Sequence, residues 1–328
     1  MRERIARHIK GYHVAQHRTV FKVAGRWGRN VDGMLDLKEF KILVALEEQR
    51  CKSLTQREIS CGFRSFVGTV NRGYALLRER GWFATECLLI VGWKHSILTV
   101  LKGRCWLRLV RSRLVPITLN TPKPLIRVHG QRIIDSLLDA VLAAGIEDIL
   151  IVRGYLAEQF DQLLYKYPMV KFIDNPLYNE ANNISSILAA GDILSNAYVL
   201  ESDLLLYNPK LITKYQYASN YLGVPVEVTD DWCFHTRSGV ITGLSVGGTD
   251  CHHMFGVSYW SAEDGKRLAT DIPATYSMPG GKERYWDEVP LRYFSKSYEV
   301  RVRECSFDDI IEIDTYRELQ ELDPAYAV

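Results

Sequence analysis

The stretch from Pro124 to Asp203 admits few architectures, because short apolar runs alternate with segments of helical period. Asp148-Ile-Leu-Ile-Val-Arg153 is apolar at four consecutive positions, as expected of a strand covered on both faces. Around it, Leu125–Val128, Val170–Asp174 and Ala197–Asp203 predict further strands. Gln131–Ala144, Leu156–Tyr167 and Asn183–Leu194 predict helices, the first closed by Gly145. Such alternation predicts an α/β fold with a mostly parallel sheet and helices on both faces. Ligands of these sheets bind beyond the carboxyl ends of the strands, where Arg153, Asn175 and Asp203 fall. From Tyr217 the chain turns β-rich, with turn signals at Ser238-Gly239 and Gly247-Gly248, predicting a second lobe.

Just ahead of this region, Thr121-Pro-Lys123-Pro-Leu125 sets a lysine between two prolines. Proline fixes its own φ and biases the preceding residue toward extended backbone, so Lys123 is expected on a stiff loop. A fixed cation there suits a phosphate. Asp203 ends an apolar run about eighty residues later, and Tyr285-Trp286-Asp287-Glu288 adds a third polar landmark. One lysine and two separated carboxylates fit metal-assisted chemistry on a phosphate.

These motifs resemble the nucleoside-triphosphate transferases that activate sugar phosphates and phosphocholine, whose signature reads roughly L-A-A-G-x-G-x-R-x(n)-T-P-K-P-L. Ser112-Arg113 and Thr121–Leu125 match its second half. Gly154–Phe160 (G-Y-L-x-E-Q-F), Asn182–Leu188 (NNISSIL) and Tyr285-Trp286-Asp287 bring the chain nearest to the bacterial phosphocholine cytidylyltransferases. The resemblance covers residues 111–328 and implies a Rossmann-like nucleotidyltransferase domain. It implies that Lys123 neutralises the α-phosphate or acceptor phosphate, and Arg113 the leaving β/γ groups. It further implies that Asp203 and Asp287 hold Mg²⁺, and that Ser112, Gly154, Asn182 and Asn183 bind the nucleotide. The expected reaction joins CTP and phosphocholine into CDP-choline, releasing pyrophosphate. A sugar-1-phosphate nucleotidyltransferase is the alternative within the enzyme class.

The glycine-rich half of the signature is absent. Gly103-Arg-Cys-Trp-Leu-Arg-Leu109 stands in its place, with side chains that block the close backbone approach a triphosphate loop needs. The genetic code offers an account. Trp106 is TGG and Leu107 begins with C or T, so the +1 frame encodes Gly there; Cys105 shifts to Ala or Val, Arg104 can give Ala, Leu107 Phe and Arg108 Gly. The shifted frame therefore permits A-A-G-F-G ahead of Ser112-Arg113, with Leu109 to Arg111 left over. A local frameshift is the expected reading, with a divergent, inactive homologue as its rival, and resequencing the gene decides between them.

Net charge divides the chain. Residues 1–113 hold 23 Lys/Arg against 9 Asp/Glu, and residues 114–328 hold 18 against 30, which suggests two modules with different partners. After a leader, 1–34, residues 35–86 predict three helices, the second with a capping box at Thr55 and Glu58. Leu54-Thr-Gln-Arg-Glu-Ile and Val67-Gly-Thr-Val-Asn-Arg72 resemble the winged helix-turn-helix of bacterial regulators, which would set Thr69, Asn71 and Arg72 against DNA. A three-helix bundle for dimerisation or regulation fits the same residues. Residues 87–110 read as a linker with the degraded glycine region, and 111–328 as the catalytic domain. A DNA-binding regulator carrying an inactive nucleotidyltransferase-like sensor lobe is the rival from outside the enzyme class.

Seven scattered cysteines without a CxxC pair suggest reduced thiols in a cytoplasmic protein. Cys251-His252-His253 cannot easily converge on one ion from a single strand, so a local structural role is expected. The apolar run Cys87–Trp93 is too short to cross a bilayer, so no membrane insertion is expected. A homodimer is compatible with the sequence. Finally, Trp232 follows Asp230-Asp231, Tyr259-Trp260 ends a strand, and Tyr285-Trp286 precedes Asp287. Quaternary ammonium offers no N–H donor and is held by aromatic faces backed by carboxylates. Trp232, Tyr285 and Asp231 are therefore the candidate acceptor cage.

Overall fold

The computed structural model describes Lys41, residues 104–108, Leu114 and residues 117–327. The predicted leader, winged-helix domain and its DNA-facing trio Thr69, Asn71 and Arg72 lie outside the described residues, as do Ser112 and Arg113. All described residues except Lys41 belong to a compact unit running from Thr99 to Val328.

The elements follow in order. Strand β1 is Arg104–Arg108, and β2 Arg127–Val128 pairs with β3 Gln131–Arg132. Helix α1 (Ile133–Ala143) leads to β4 (Asp148–Arg153), a 3₁₀ segment (Ala157–Tyr165) and β5 (Lys171–Asp174). Helix α2 (Ile184–Ala190) precedes β6 (Ala197–Glu201) and β7 (Leu204–Leu206). Two long strands, β8 (Asn220–Arg237) and β9 (Val240–Trp260), form a hairpin. Helix α3 (Ala262–Tyr276), a π-turn (Val289–Tyr293), β10 (Arg301–Glu304), β11 (Ile310–Glu312) and α4 (Tyr316–Leu322) complete the unit.

Seven strands make one sheet in the order β10-β8-β9-β6-β1-β4-β5. Strands β6, β1, β4 and β5 are parallel neighbours, whereas β9 runs antiparallel to both β6 and β8. The sheet is thus mixed. The expected second lobe is instead a continuation of the same sheet, because Ala197–Leu200 pair directly with Trp260–Val257.

Side-chain alternation explains the two-sided burial. On β4, Ile149 and Ile151 join the core beneath α1, while Leu150 and Val152 join the core beneath α2 and α3. On β6, Tyr198 and Leu200 face the first core and Ala197 and Val199 the second. Opposite pointing of successive residues forces this division.

Residues 104–108, expected in a linker, form the central strand between β4 and β6. Parallel partners on both sides supply the backbone pairing that local pattern does not announce. Lys123 also departs from expectation: Lys123–Leu125 form a 3₁₀ turn, with Pro122 extended at φ −54°, ψ 138°. The predicted helix 156–167 is a 3₁₀ segment, and Leu156 before it is left-handed at φ 50°. Gly145, also left-handed, closes α1 as expected.

Candidate active site

A cavity of about 890 Å³ opens along the carboxyl end of the parallel strands, bounded by Asn175–Asn183, the hairpin residues Asp231, Trp232, Met254 and Gly256, and the 282–287 loop. Seven carboxylate residues line it: Glu180, Glu201, Asp231, Glu283, Asp287, Glu312 and Asp314; Lys282 is the lysine on its wall. A wall so charged favours a cation-bearing ligand or metal-bridged phosphates over a bare anion.

Behind the cavity wall, Lys123 is buried and bonds two carboxylates, Asp203 Oδ2 at 2.9 Å and the wall residue Asp314 through its Oδ1 at 3.0 Å. Burial alone would lower its pKa, but Asp203 and Asp314 outweigh that and raise it. Its ammonium form is therefore favoured, with two carboxylates as its partners. Two of its three N–H donors are thus directed at carboxylates.

Glu201, Asp203 and Glu312 bring ligand oxygens within 4.8 Å of one another. Asp203 is fully buried, and its Oδ1 has no hydrogen-bond partner. Burial, then the charges of Asp203, Glu201 and Asp314, push the Glu312 carboxyl well above the usual range. Hard carboxylate oxygens crowded in this way fit a divalent cation, which would relieve both the repulsion and the orphaned oxygen. The topology makes the cluster: β11 pairs antiparallel with β7, so Glu312 stands opposite Leu204, the residue after Asp203. Glu201 is held from the other side by β9. A Cβ on Gly256 would fall 2.2 Å from Glu201 Oε2, so only glycine leaves room for that carboxylate. Glu312 and Asp314 were not singled out from sequence, although Ile310-Ile-Glu-Ile-Asp314 ahead of the Thr315/Glu318 capping box was a readable signal.

Asp287 lies on the same cavity but apart from that trio. Tyr221 donates its hydroxyl to Asp287 Oδ1 at 2.5 Å. Burial, followed by Asp287, raises the Tyr221 pKa well above its ordinary value, so the phenol stays protonated and keeps donating.

The two asparagines do structural work from the cavity wall. Asn182 accepts from Asn183 N (2.8 Å) and donates to Glu283 O (3.1 Å), while its backbone N–H donates to Lys282 O (2.7 Å). Asn183 Oδ1 accepts from Trp286 N at 2.7 Å. Together they fasten the start of α2 to a loop a hundred residues away. Asn183 Nδ2 remains buried without a partner. Gly154 does not line the cavity; its missing side chain admits the Tyr178 ring, whose Cβ and Cγ would meet an added methyl at 2.6 Å. Tyr178 itself lines the cavity. Arg153 pairs with Asp161 and Asp174 at 2.6 Å each, away from the lining.

Trp232 and Tyr285, far apart in sequence, meet edge to face with ring centroids 5.4 Å apart. Asp231 stands beside them, its Oδ1 accepting from Trp232 N at 2.6 Å. Tyr259 and Trp260, the other aromatics noted in the sequence, are fully packed in the two cores.

Comparison with known proteins places this geometry in context. The sequence pattern of the nucleotidyl transferase family matches residues 111–219. A 2-aminoethylphosphonate cytidylyltransferase of Lancefieldella rimae is 36% identical over 66% of this chain and 89% of its own. A choline-phosphate cytidylyltransferase of Streptococcus pneumoniae is 31% identical over 64% of this chain and 93% of its own. Among solved structures, a CTP:phosphocholine cytidylyltransferase from Streptococcus pneumoniae aligns with TM-score 0.64 and 28% identity, over 68% of this chain and 99% of that one.

Proposed function

The chain belongs to the nucleotidyl transferase family and is a nucleotidyltransferase with cytidylyltransferase relatives, and we propose that it transfers a cytidylyl group from CTP to phosphocholine. The observation that carries this reading is the Trp232–Tyr285 ring pair beside Asp231, on a cavity wall rich in carboxylates. Aromatic faces backed by a carboxylate suit a trimethylammonium head, at about 0.5–2 kcal/mol per good contact. A sugar would need many hydroxyl-directed groups instead.

In the proposed reaction an acceptor phosphate oxygen attacks the α-phosphorus of CTP in line. The bond from that phosphorus to the bridging oxygen breaks, and pyrophosphate leaves. Catalysis of this kind consists of positioning and charge neutralisation. Glu201, Asp203 and Glu312 would hold Mg²⁺, which supplies charge neutralisation at the phosphates when bound. Lys123 holds Asp203 and Asp314 in place from behind. Tyr221 fixes Asp287 at the cavity edge. Asp231, Trp232 and Tyr285 orient the cationic end of the acceptor, which sets its phosphate toward the carboxylate cluster.

A second acceptor, 2-aminoethylphosphonate, is favoured by the 36% identity to a relative of that name; its primary ammonium would draw on the Asp231 carboxylate more than on the rings. Pyrophosphate release with CTP and Mg²⁺ by the frame-restored protein, measured against phosphocholine, 2-aminoethylphosphonate and hexose phosphates, tests the choice. Trp232→Ala and Tyr285→Ala should each raise the KM for phosphocholine about tenfold and leave that for CTP little changed, consistent with loss of one aromatic contact. Equal weakening of both substrates would mean the rings only pack the wall, and higher kcat/KM with 2-aminoethylphosphonate would reassign the acceptor.

A further inference from the structure

Among the described residues that line the cavity, Lys282 is the one cationic side chain, set against seven carboxylate residues. Lys123 cannot take the same part, because it does not line the cavity and directs two donors at Asp203 and Asp314. Phosphocholine and 2-aminoethylphosphonate are both zwitterions, a cationic head joined by two carbons to a phosphate or phosphonate. Asp231, Trp232 and Tyr285 suit the head. The anionic end, brought among so many carboxylates, is repelled unless a cation meets it.

Local sequence delivers Lys282 to the wall. Helix α3 ends at Tyr276, and Ser277-Met-Pro-Gly-Gly281 turns the chain back. Gly280 is left-handed at φ 71°, and a Cβ on Gly281 would overlap the Thr275 and Tyr276 carbonyl oxygens, so the turn needs both glycines. The residues that follow are tied to the start of α2. Asn182 N donates to Lys282 O at 2.7 Å, Asn182 Nδ2 to Glu283 O at 3.1 Å, and Trp286 N to Asn183 Oδ1 at 2.7 Å. These bonds fix the backbone at Lys282 and spare its ammonium. The partner of that ammonium is Glu180, 3.9 Å away, with the two side chains 50% and 62% exposed. So exposed and so long a pair contributes little, and a phosphate displaces Glu180 at small cost. Tyr285 lies three residues further along, at most about 11 Å of extended chain. Both ends of one small zwitterion therefore fall within reach of a single loop.

Resting on the acceptor reading of this cavity, we propose that Lys282 binds the phosphate or phosphonate of the acceptor while Asp231, Trp232 and Tyr285 hold its cationic head. Lys282 then selects the phosphorylated acceptor over the parent alcohol, because free choline offers the ammonium no anion. An ammonium meets phosphate as a point charge, so the contact depends on charge more than on the exact shape of the side chain.

Calorimetric titration of the full chain with phosphocholine and with choline tests this without any need for turnover. Lys282→Gln should bind phosphocholine about 10–100-fold more weakly, as expected for loss of one charge-assisted hydrogen bond, and bind choline as before. Lys282→Arg keeps the charge and should retain most of the phosphocholine affinity. Glu180→Gln, which releases the ammonium, should bind phosphocholine at least as tightly as the unmodified chain. Unchanged phosphocholine affinity in Lys282→Gln overturns the proposal and leaves the acceptor reading standing. Equal weakening of choline and phosphocholine also overturns it, since the side chain would then only support the wall. An unmodified chain that binds neither phosphocholine nor 2-aminoethylphosphonate fails the acceptor reading itself, and the role of Lys282 with it.

Discussion

Single residues decide whether the carboxylate cluster can form. Gly256 sits where any side chain would overlap Glu201, so Gly256→Ala should displace that carboxylate and leave the sheet paired. We expect cytidylyl transfer to fall about 10–100-fold, the range seen when support of a metal ligand is lost, with an unchanged far-ultraviolet circular dichroism spectrum. Wild-type turnover in this variant would remove Glu201 from the site. Lys123 is the counterpart from behind. Lys123→Met leaves buried Asp203 without its cation, a change that costs about 3–5 kcal/mol when one member of a buried pair is removed. The sign of its pH dependence follows from the raised lysine pKa. The pair's contribution is fully present below the unfolded value of about 10.4 and is lost only as pH rises through the higher folded one. The difference in Tm between wild type and Lys123→Met should therefore stay level from pH 6 to 9. A difference that shrank across that window would show the lysine titrating there and contradict the pairing.

Elements differ in how openly the sequence announces them. The bounds of β4 follow directly from its sequence because four apolar residues in a row have one stable use inside an α/β sheet. Strand β1 was hidden, since its pairing comes from neighbours more than forty residues on. The same distance effect governed the site. Asp203 could be picked out because it ends an apolar run, Asp287 because of the Tyr-Trp-Asp resemblance, and Trp232 and Tyr285 as aromatics beside carboxylates, whereas Glu312 depends on the β7–β11 pairing across a hundred residues and Asp314 follows it. The 3₁₀ course of Ala157–Tyr165 was read as an α-helix because apolar spacing does not separate the two over so few turns. Helix α4 also carries a functional consequence. Besides accepting from Thr315 N at 3.0 Å in the capping box, Glu318 Oε2 accepts from Asp314 N at 2.7 Å, so the capped turn holds the residue that meets Lys123. Thr315→Ala should cost about 1 kcal/mol of stability, read as a lower denaturation midpoint at unchanged m-value. Activity should fall further than that small loss explains if Asp314 depends on the cap; activity reduced only in proportion to unfolding would make the cap purely structural.

At the scale of the whole molecule, the missing glycine signature falls on the central strand of the sheet. Strand β1 is the central strand, and Arg108 at its carboxyl end is registered beside Glu201 of the carboxylate cluster. A phosphate-binding turn immediately after β1 would therefore face the cavity, with backbone N–H groups available to a triphosphate. The shifted frame that would supply glycines replaces Arg104–Arg108, the residues of β1 itself, and Leu109-Val-Arg-Ser-Arg113 follows without a glycine. Of the expected nucleotide contacts, those at Ser112, Arg113, Lys123, Gly154, Asn182 and Asn183 are encoded, and the backbone amides of the glycine loop are not. The carboxylates, ring pair and sheet that surround the cavity are otherwise assembled. The acceptor half of the site should then be competent and the nucleotide half deficient. Restoring the shifted frame, so that Ala-Ala-Gly-Phe-Gly precedes Ser112-Arg113, should lower the KM for CTP and raise kcat by several powers of ten. Binding of phosphocholine alone should barely change. Each loop amide donor aimed at developing charge is worth about 10²–10³ in rate, and the repaired turn would supply more than one. Parallel assays of both forms with CTP, Mg²⁺ and acceptor, together with calorimetry of acceptor alone, separate the two halves. Equal turnover in both forms would show that the triphosphate is held elsewhere than at the end of β1.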